Sequence, residues 1–308
     1  CSIQDILRRF KADGNPWSAF PDKVFVQLND THPALLVPEL MRLLIDREGL
    51  HWDEAWEITT KSTGYTNHTI LPEALEKWPL SMIENLLPRH LLILFEINAR
   101  FMRDVAIRYP LDTDRLRRMS IFEDGGEKNV RMAHLAIVGS CSVNGVAALH
   151  THLLKERVLR DFAEYWPEKF NNKTNGITPR RWLLKANPPL AELITSSIGD
   201  GWITDLEQLR KLEPLAENAA FRKKFRAAKQ QNKAALAQFI EQTLGVTVSP
   251  DAMFDVQVKR LHEYKRQLLL LLFAIVRYMR IKKNPGLDVP ARVILFAAKA
   301  APGYFMAK

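Results

Sequence analysis

Cysteine is scarce: Cys1 and Cys141 are the only two in 308 residues. Two thiols cannot build a disulfide framework, so the fold must rest on a packed core, and the usage suits a reducing, cytoplasmic setting. Long apolar runs are also missing. The strongest, Leu268 to Val276, is too short to span a bilayer, which argues against a membrane protein. No basic, apolar leader opens the chain. There is no HExxH or CxxC pattern, so a metal site is not expected. Neither common Gly-rich phosphate loop occurs, which excludes a standard nucleotide cradle. Repeats and low-complexity tracts are absent. Sequons at Asn29, Asn67 and Asn172 would matter in a secreted chain and read as coincidence here.

What remains is an ordinary globular balance, 47% hydrophobic and 26% charged, over a length that suits two domains. The chain opens on Cys1 instead of Met, and Tyr304 to Lys308 reads as the start of a helix, so the expectation is an internal piece of a longer protein. The net charge of +9 calls for an anionic partner. Nucleic acid fits poorly, because the basic residues form no stripe interleaved with aromatics. Most share amphipathic helices with acids, and Arg115-Leu116-Arg117-Arg118 and Arg222-Lys223-Lys224 read as solvated faces.

A strand-then-helix pattern recurs and implies an α/β architecture. Val24 to Leu28 reads as a strand, followed by Asn29-Asp30-Thr31-His32-Pro33 and a helix that turns Leu36, Leu40, Leu43 and Leu44 inward. Trp56 to Tyr65 leads to Asn67-His68-Thr69 and a helix near Pro72-Glu73-Ala74-Leu75; Leu135 to Val138 reads as a strand leading through Asn144-Gly145 to a helix. Phe254 to Val258 and Val293 to Phe296 complete the strands, Pro88 marks a helix start, and Asn218 to Gln242 reads as a surface helix. The turn-rich segment Phe170 to Pro179 is the expected domain junction. In open α/β sheets ligands bind beyond the carboxyl ends of strands, so the polar residues at these junctions are the candidates.

The segment Lys259-Arg260-Leu261-His262-Glu263-Tyr264-Lys265-Arg266 follows a strand and precedes a helix apolar enough to be expected in the core. A helix start carries partial positive charge, and each added cation there costs about 0.3–1 kcal/mol at an exposed site. Four of them make sense around a bound anion, phosphate above all, the alternative being a solvated run partly neutralised by Glu263. His32 and His68 follow strands beside Asp30 and Asn67, where they are either structural or ligands for a neutral sugar. His150 and His152 point to different faces of one helix. Thr178-Pro179 suits a helix start with Trp182 anchored in the core; the functional alternative makes Asn175 a sugar ligand and Trp182 a cofactor wall.

Together and in order, these segments resemble the glycogen and maltodextrin (α-glucan) phosphorylases. The matching signatures are Leu28 to Pro33, Tyr65 to Thr69, Leu71 to Trp78, Leu87 to His90, Val143 to Val146, Lys173 to Trp182, Val258 to Gln267 and Lys299 to Tyr304. The resemblance implies two Rossmann-like domains of the glycosyltransferase-B type, each present in part: residues 1–175 as the later part of an N-terminal glucan-binding domain, and 176–308 as the first part of a C-terminal cofactor-binding domain. It implies transfer of terminal glucose from an α-1,4-glucan to inorganic phosphate, with pyridoxal phosphate as proton shuttle, in a homodimer. Residue by residue, His68 and Asn175 resemble the ligands of the transferred glucose, Val146 a backbone contact to it, and Asp30 and His32 the lining behind it. Arg260 resembles the holder of the substrate phosphate, Lys259 and Lys265 the holders of the cofactor phosphate, and Trp182 a residue packed by the cofactor. The family's Schiff-base lysine segment has no match here, and Lys299 belongs to a different loop, so the chain alone is expected to be inactive. From the residues alone, a nucleic-acid-binding module and a non-catalytic glucan-binding piece are the other function classes.

Overall fold

A computed structural model of the chain describes all residues except Glu73, Ala74, Asp124 and Glu127. It divides into two compact units, Cys1–Gly176 and Ile177–Lys308. Both carry parallel strands with helices, so the chain is α/β.

In the first unit α1 (Ser2–Ala12) and α2 (Phe20–Lys23) lead into β1 (Val26–Asn29). Helix α3 (Leu36–Arg42) continues as a π-helical turn, Leu43–Arg47, and buries Leu40, Leu43 and Leu44. Next come α4 (Trp52–Lys61), β2 (Thr63–Thr66), β3 (Lys77–Pro79), α5 (Leu80–Leu86) and α6 (Pro88–Arg108). Proline needs no N–H partner at a helix start, and Pro88 opens α6 accordingly. That helix buries Leu91, Leu94, Ile97, Phe101 and Val105, a spacing of three and four that lays one apolar stripe on the core. The unit continues through α7 (Thr113–Met119), β4 (Phe122–Glu123), β5 (Asn129–Arg131), α8 (Met132–Val138), β6 (Ser142–Gly145), α9 (Ala148–Leu153), α10 (Arg160–Tyr165) and β7 (Phe170–Asn172).

Strands β1, β2, β6 and β7 form one sheet in the order β1-β2-β6-β7, parallel throughout. Its register aligns Leu28, Tyr65, Val143 and Phe170 in a buried row. A small antiparallel sheet, β3-β5-β4, lies apart from it.

The second unit contains α11 (Pro188–Ile198), α12 (Ala219–Leu244), β8 (Met253–Val258), α13 (Gln267–Lys283) and β9 (Arg292–Ala297). Asn218 caps α12 by accepting from the Phe221 N–H at 3.1 Å, and Gly245 ends it at φ 67°. Only glycine adopts that left-handed conformation without steric cost. The buried centre of this unit is small, namely Ala191, Ile194 and Trp202, with the Trp202 indole donating to Thr195 Oγ1 at 3.1 Å. Strands β8 and β9 pair in parallel.

Four expectations are corrected. Leu135 to Val138 is helix α8, with every residue buried, and the strand is the later segment Ser142–Gly145. Trp56 lies in helix α4, so the second strand is only Thr63–Thr66. The described residues around Pro72 lead directly into β3; the rest of the expected helix, Glu73 and Ala74, lies outside the described residues. Helix α13 is not in the core: Leu268, Leu269, Phe273 and Val276 are 67%, 58%, 41% and 55% exposed. Two strands are too narrow a sheet to cover a helix that is apolar all round.

Candidate functional site

One residue beyond the buried apolar row, the same register aligns Asn29, Thr66, Asn144 and Asn171. Apolar contact thus gives way to amides and a hydroxyl at the carboxyl end of the sheet. Thr66 Oγ1 donates to Asn144 Oδ1 at 2.8 Å and accepts from Gln27 Nε2 at 2.9 Å, and Asn171 Nδ2 donates to Ser142 Oγ at 2.8 Å. All first-unit residues singled out in the sequence, Asp30, His32, His68, Val146 and Asn175, follow these strand ends.

The loops are tied together by His150, which the sequence names beside His152 but does not place in a site. His150 Nδ1 accepts the Val146 N–H at 3.0 Å, which leaves the proton on Nε2, and that nitrogen donates to Asn67 Oδ1 at 3.1 Å. Burial, and then the neighbouring His68, lower the His150 pKa and favour this neutral tautomer. Asn67 is fully buried, and its Nδ2 donates to Tyr65 Oη at 3.1 Å. Burial pushes the Tyr65 phenol well above its ordinary pKa, so it stays neutral. Gly145 makes this possible, because a Cβ there would sit 2.9 Å from His150 Nδ1 and still closer to Thr151 Oγ1. From Val146 the chain of bonds passes to Asn175, whose N–H donates to the Val146 carbonyl at 2.9 Å. His68 and Asn175 are therefore joined through Asn67, His150 and Val146. The His68 ring bonds Asn29 Oδ1, and both Val146 backbone groups are engaged inside the protein.

Asp30 and His32 line a recess with Glu76. Asp30 takes φ 69°, a left-handed conformation uncommon for a residue with a side chain, and its Oδ1 accepts the Thr31 N–H at 2.7 Å. Glu76 is fixed from two sides, by Thr31 Oγ1 at 2.7 Å and Trp78 Nε1 at 2.9 Å. His32 is exposed.

In the second unit Lys259, Lys265 and Arg266 line a recess at the end of β8, whereas Arg260 is exposed and outside the recess lining. None of these four cations forms an ion pair among the described residues. Arg266 takes φ 56° as the residue before α13, and Gln267 folds its side chain back to the Arg260 carbonyl at 3.0 Å. Trp182 is 61% exposed, so it does not anchor the core; Trp202 does. It is also absent from the lining of the cation recess. Among the described residues no cluster of three His, Cys, Asp or Glu could hold a metal, and no helix is long and apolar enough to cross a membrane.

His150 gave no local signal because one of its partners, Asn67, lies 83 residues away. Comparison with known proteins bears on the whole chain. A glycogen phosphorylase of Synechocystis is 54% identical over all 308 residues, which span 36% of that protein. The muscle forms of Oryctolagus cuniculus and Homo sapiens are 54% and 52% identical, again over the whole of this chain and 37% of theirs. The chain thus spans little more than a third of the length of these relatives. The family model described as carbohydrate phosphorylase matches residues 1–308, and the chain belongs to that family.

Proposed function

We propose that this chain is part of an α-1,4-glucan phosphorylase, which moves a terminal glucose from glycogen or maltodextrin to inorganic phosphate and yields α-glucose 1-phosphate. The observation that carries the reading is the ring of hydrogen-bonding groups at one sheet end, held by His150, in a chain that also has a cluster of cations without carboxylate partners. The first suits a neutral polyhydroxylated ligand and the second a phosphate. His68 and Asn175 would bind and orient the glucose, with Asp30 and His32 lining its surroundings. Val146 would contribute packing and its carbonyl's second lone pair, since its N–H is already taken by His150.

Arg260 would hold the substrate phosphate. The recess of Lys259 and Lys265 fits the phosphate of pyridoxal phosphate, because these two cations form no ion pair among the described residues and the Asp255 carboxylate beside them is taken by Arg292 at 2.6 Å. Trp182 has its indole available for a ring to pack on. When bound, that cofactor supplies a phosphate group able to exchange a proton with the substrate phosphate. The protein residues then position the two phosphates and offset their mutual repulsion. A cytoplasmic homodimer is part of the same proposal.

Phosphorolysis of maltoheptaose by the complete enzyme tests it. A charge-assisted hydrogen bond is worth about 1.5–3 kcal/mol, so Arg260→Ala should lower kcat/KM for phosphate by roughly 10- to 150-fold. An unchanged phosphate dependence in that variant removes Arg260 from the site. Salt-dependent binding of nucleic acid with no glucan turnover would favour the other class.

A further inference from the structure

Outside these sites, five arginines face one recess of the first unit. Arg115, Arg118, Arg131, Arg157 and Arg160 line it together with His134, and Asp161 is the one acid among the described lining residues. The run Arg115-Leu116-Arg117-Arg118 reads as a solvated face, which holds for Arg117, 73% exposed in its side chain, but not for Arg115 at 14%.

The carboxylates around the recess account for part of this charge. Asp161 takes Arg118 at 2.7 and 3.1 Å; Glu164 takes both Arg115 and Arg160 at 2.7 Å. Asp112 lies 3.1 Å from Arg115 and Glu123 lies 3.6 Å from Arg131. Among the described residues four carboxylates thus answer five guanidiniums, and Arg157 makes no ion pair. His134 adds no further positive charge near neutral pH, since burial holds its pKa down to about 4.

A second observation concerns Arg115, whose guanidinium also lies over the Tyr109 ring at 4.1 Å. Arg115 Nη1 is buried and has no hydrogen-bond partner among the described residues, while its Nε and Nη2 are both engaged. A buried donor left unpaired costs about 1–3 kcal/mol, and more on a charged group. An anion in the recess would pair the charge that the carboxylates leave over.

We infer that this recess binds a small tetrahedral oxyanion, either inorganic phosphate or the phosphate of a monoester, on Arg115 and Arg157 with Arg160 at its rim. The geometry suits it: guanidiniums present planar pairs of donors that match two oxygens of one phosphate, and several of them converging hold a dianion that lysines would bind only as point charges.

Phenylglyoxal footprinting, read peptide by peptide, tests the site on this chain, with inorganic phosphate and glycerol phosphate in separate arms and chloride added to equal ionic strength. Phosphate should slow modification of Arg157 and Arg160 several-fold and leave the exposed Arg103 unchanged. Calorimetric titration should lose this binding step in the double variant Arg157→Ala/Arg160→Ala and keep it in Arg260→Ala, which separates it from the proposed substrate phosphate. Both substituted arginines are exposed, and circular dichroism checks that the double variant is folded. Protection in one arm alone identifies whether the free anion or the ester is the ligand. Equal protection of Arg103, no protection in either arm, or unchanged binding in the folded double variant overturns the inference.

Discussion

Replacing His150 with alanine removes both bonds that tie the loop after β2 to the loop after β6. Asn67 Oδ1 is left without a donor in a fully buried position, a loss of about 1–3 kcal/mol. The Val146 N–H is only half-buried and can reach water, so its share is about 0.5–1.5 kcal/mol. The sum, about 1.5–4.5 kcal/mol, should lower the midpoint of the 176-residue first unit by about 3–18 °C, since 1 kcal/mol moves a unit of that size by about 2–4 °C. His150→Gln can restore one of the two bonds and should recover roughly half. Urea unfolding with hydrogen–deuterium pulse labelling of peptides from Cys1–Gly176 separates this unit from the other. A His150→Ala shift below about 0.5 kcal/mol, the range of an ordinary surface substitution, would refute the bridging role.

Two further outcomes are expected. His134 has an ordinary pKa of 6.5 and a folded pKa of about 4 because it is buried. Between those values the unfolded chain binds a proton that the folded chain does not, so stability rises with pH; the contribution is full above 6.5 and is lost as pH falls to about 4. The gap is worth up to about 3 kcal/mol, and His134→Gln should flatten the pH dependence over that window by a comparable amount; identical slopes for the two proteins would contradict this. At Asp30, alanine loses the bond to the Thr31 N–H, about 0.5–1.5 kcal/mol, and keeps the left-handed strain at φ 69° that Asp30 already carries. Asp30→Gly should be the milder change by about 1 kcal/mol, and equal denaturant midpoints for the two variants would remove the strain argument.

Much of the fold can be read from residue patterns. Pro88, the cap at Asn218 and the strands around Val26, Phe254 and Val293 mark themselves by local chemistry. Leu135 to Val138 fails for a physical reason: a helix buried on every side shows the same unbroken apolar run as a buried strand. The exposure of α13 fails for another, because apolarity states a need for cover without saying what lies nearby. The strand-end junctions follow from alternation and particular residues there, such as Val146, from the resemblance, yet the bridge that joins them depends on a sheet register linking positions dozens of residues apart.

The parallel ladder of the first unit does not stop at the strand ends. The amides of Asp30, Asn67 and Lys173 continue it to the carbonyls of Thr66, Asn144 and Gly145, and Asn175 bonds Val146 beyond that. Loops usually exchange their amide protons through small local openings, while core strands exchange only when a larger cooperative unit opens. Here the loop amides are anchored to the buried strands themselves. Their exchange should follow the slow, global regime of the sheet, so the candidate ligand-binding loops and the core open and close as one body.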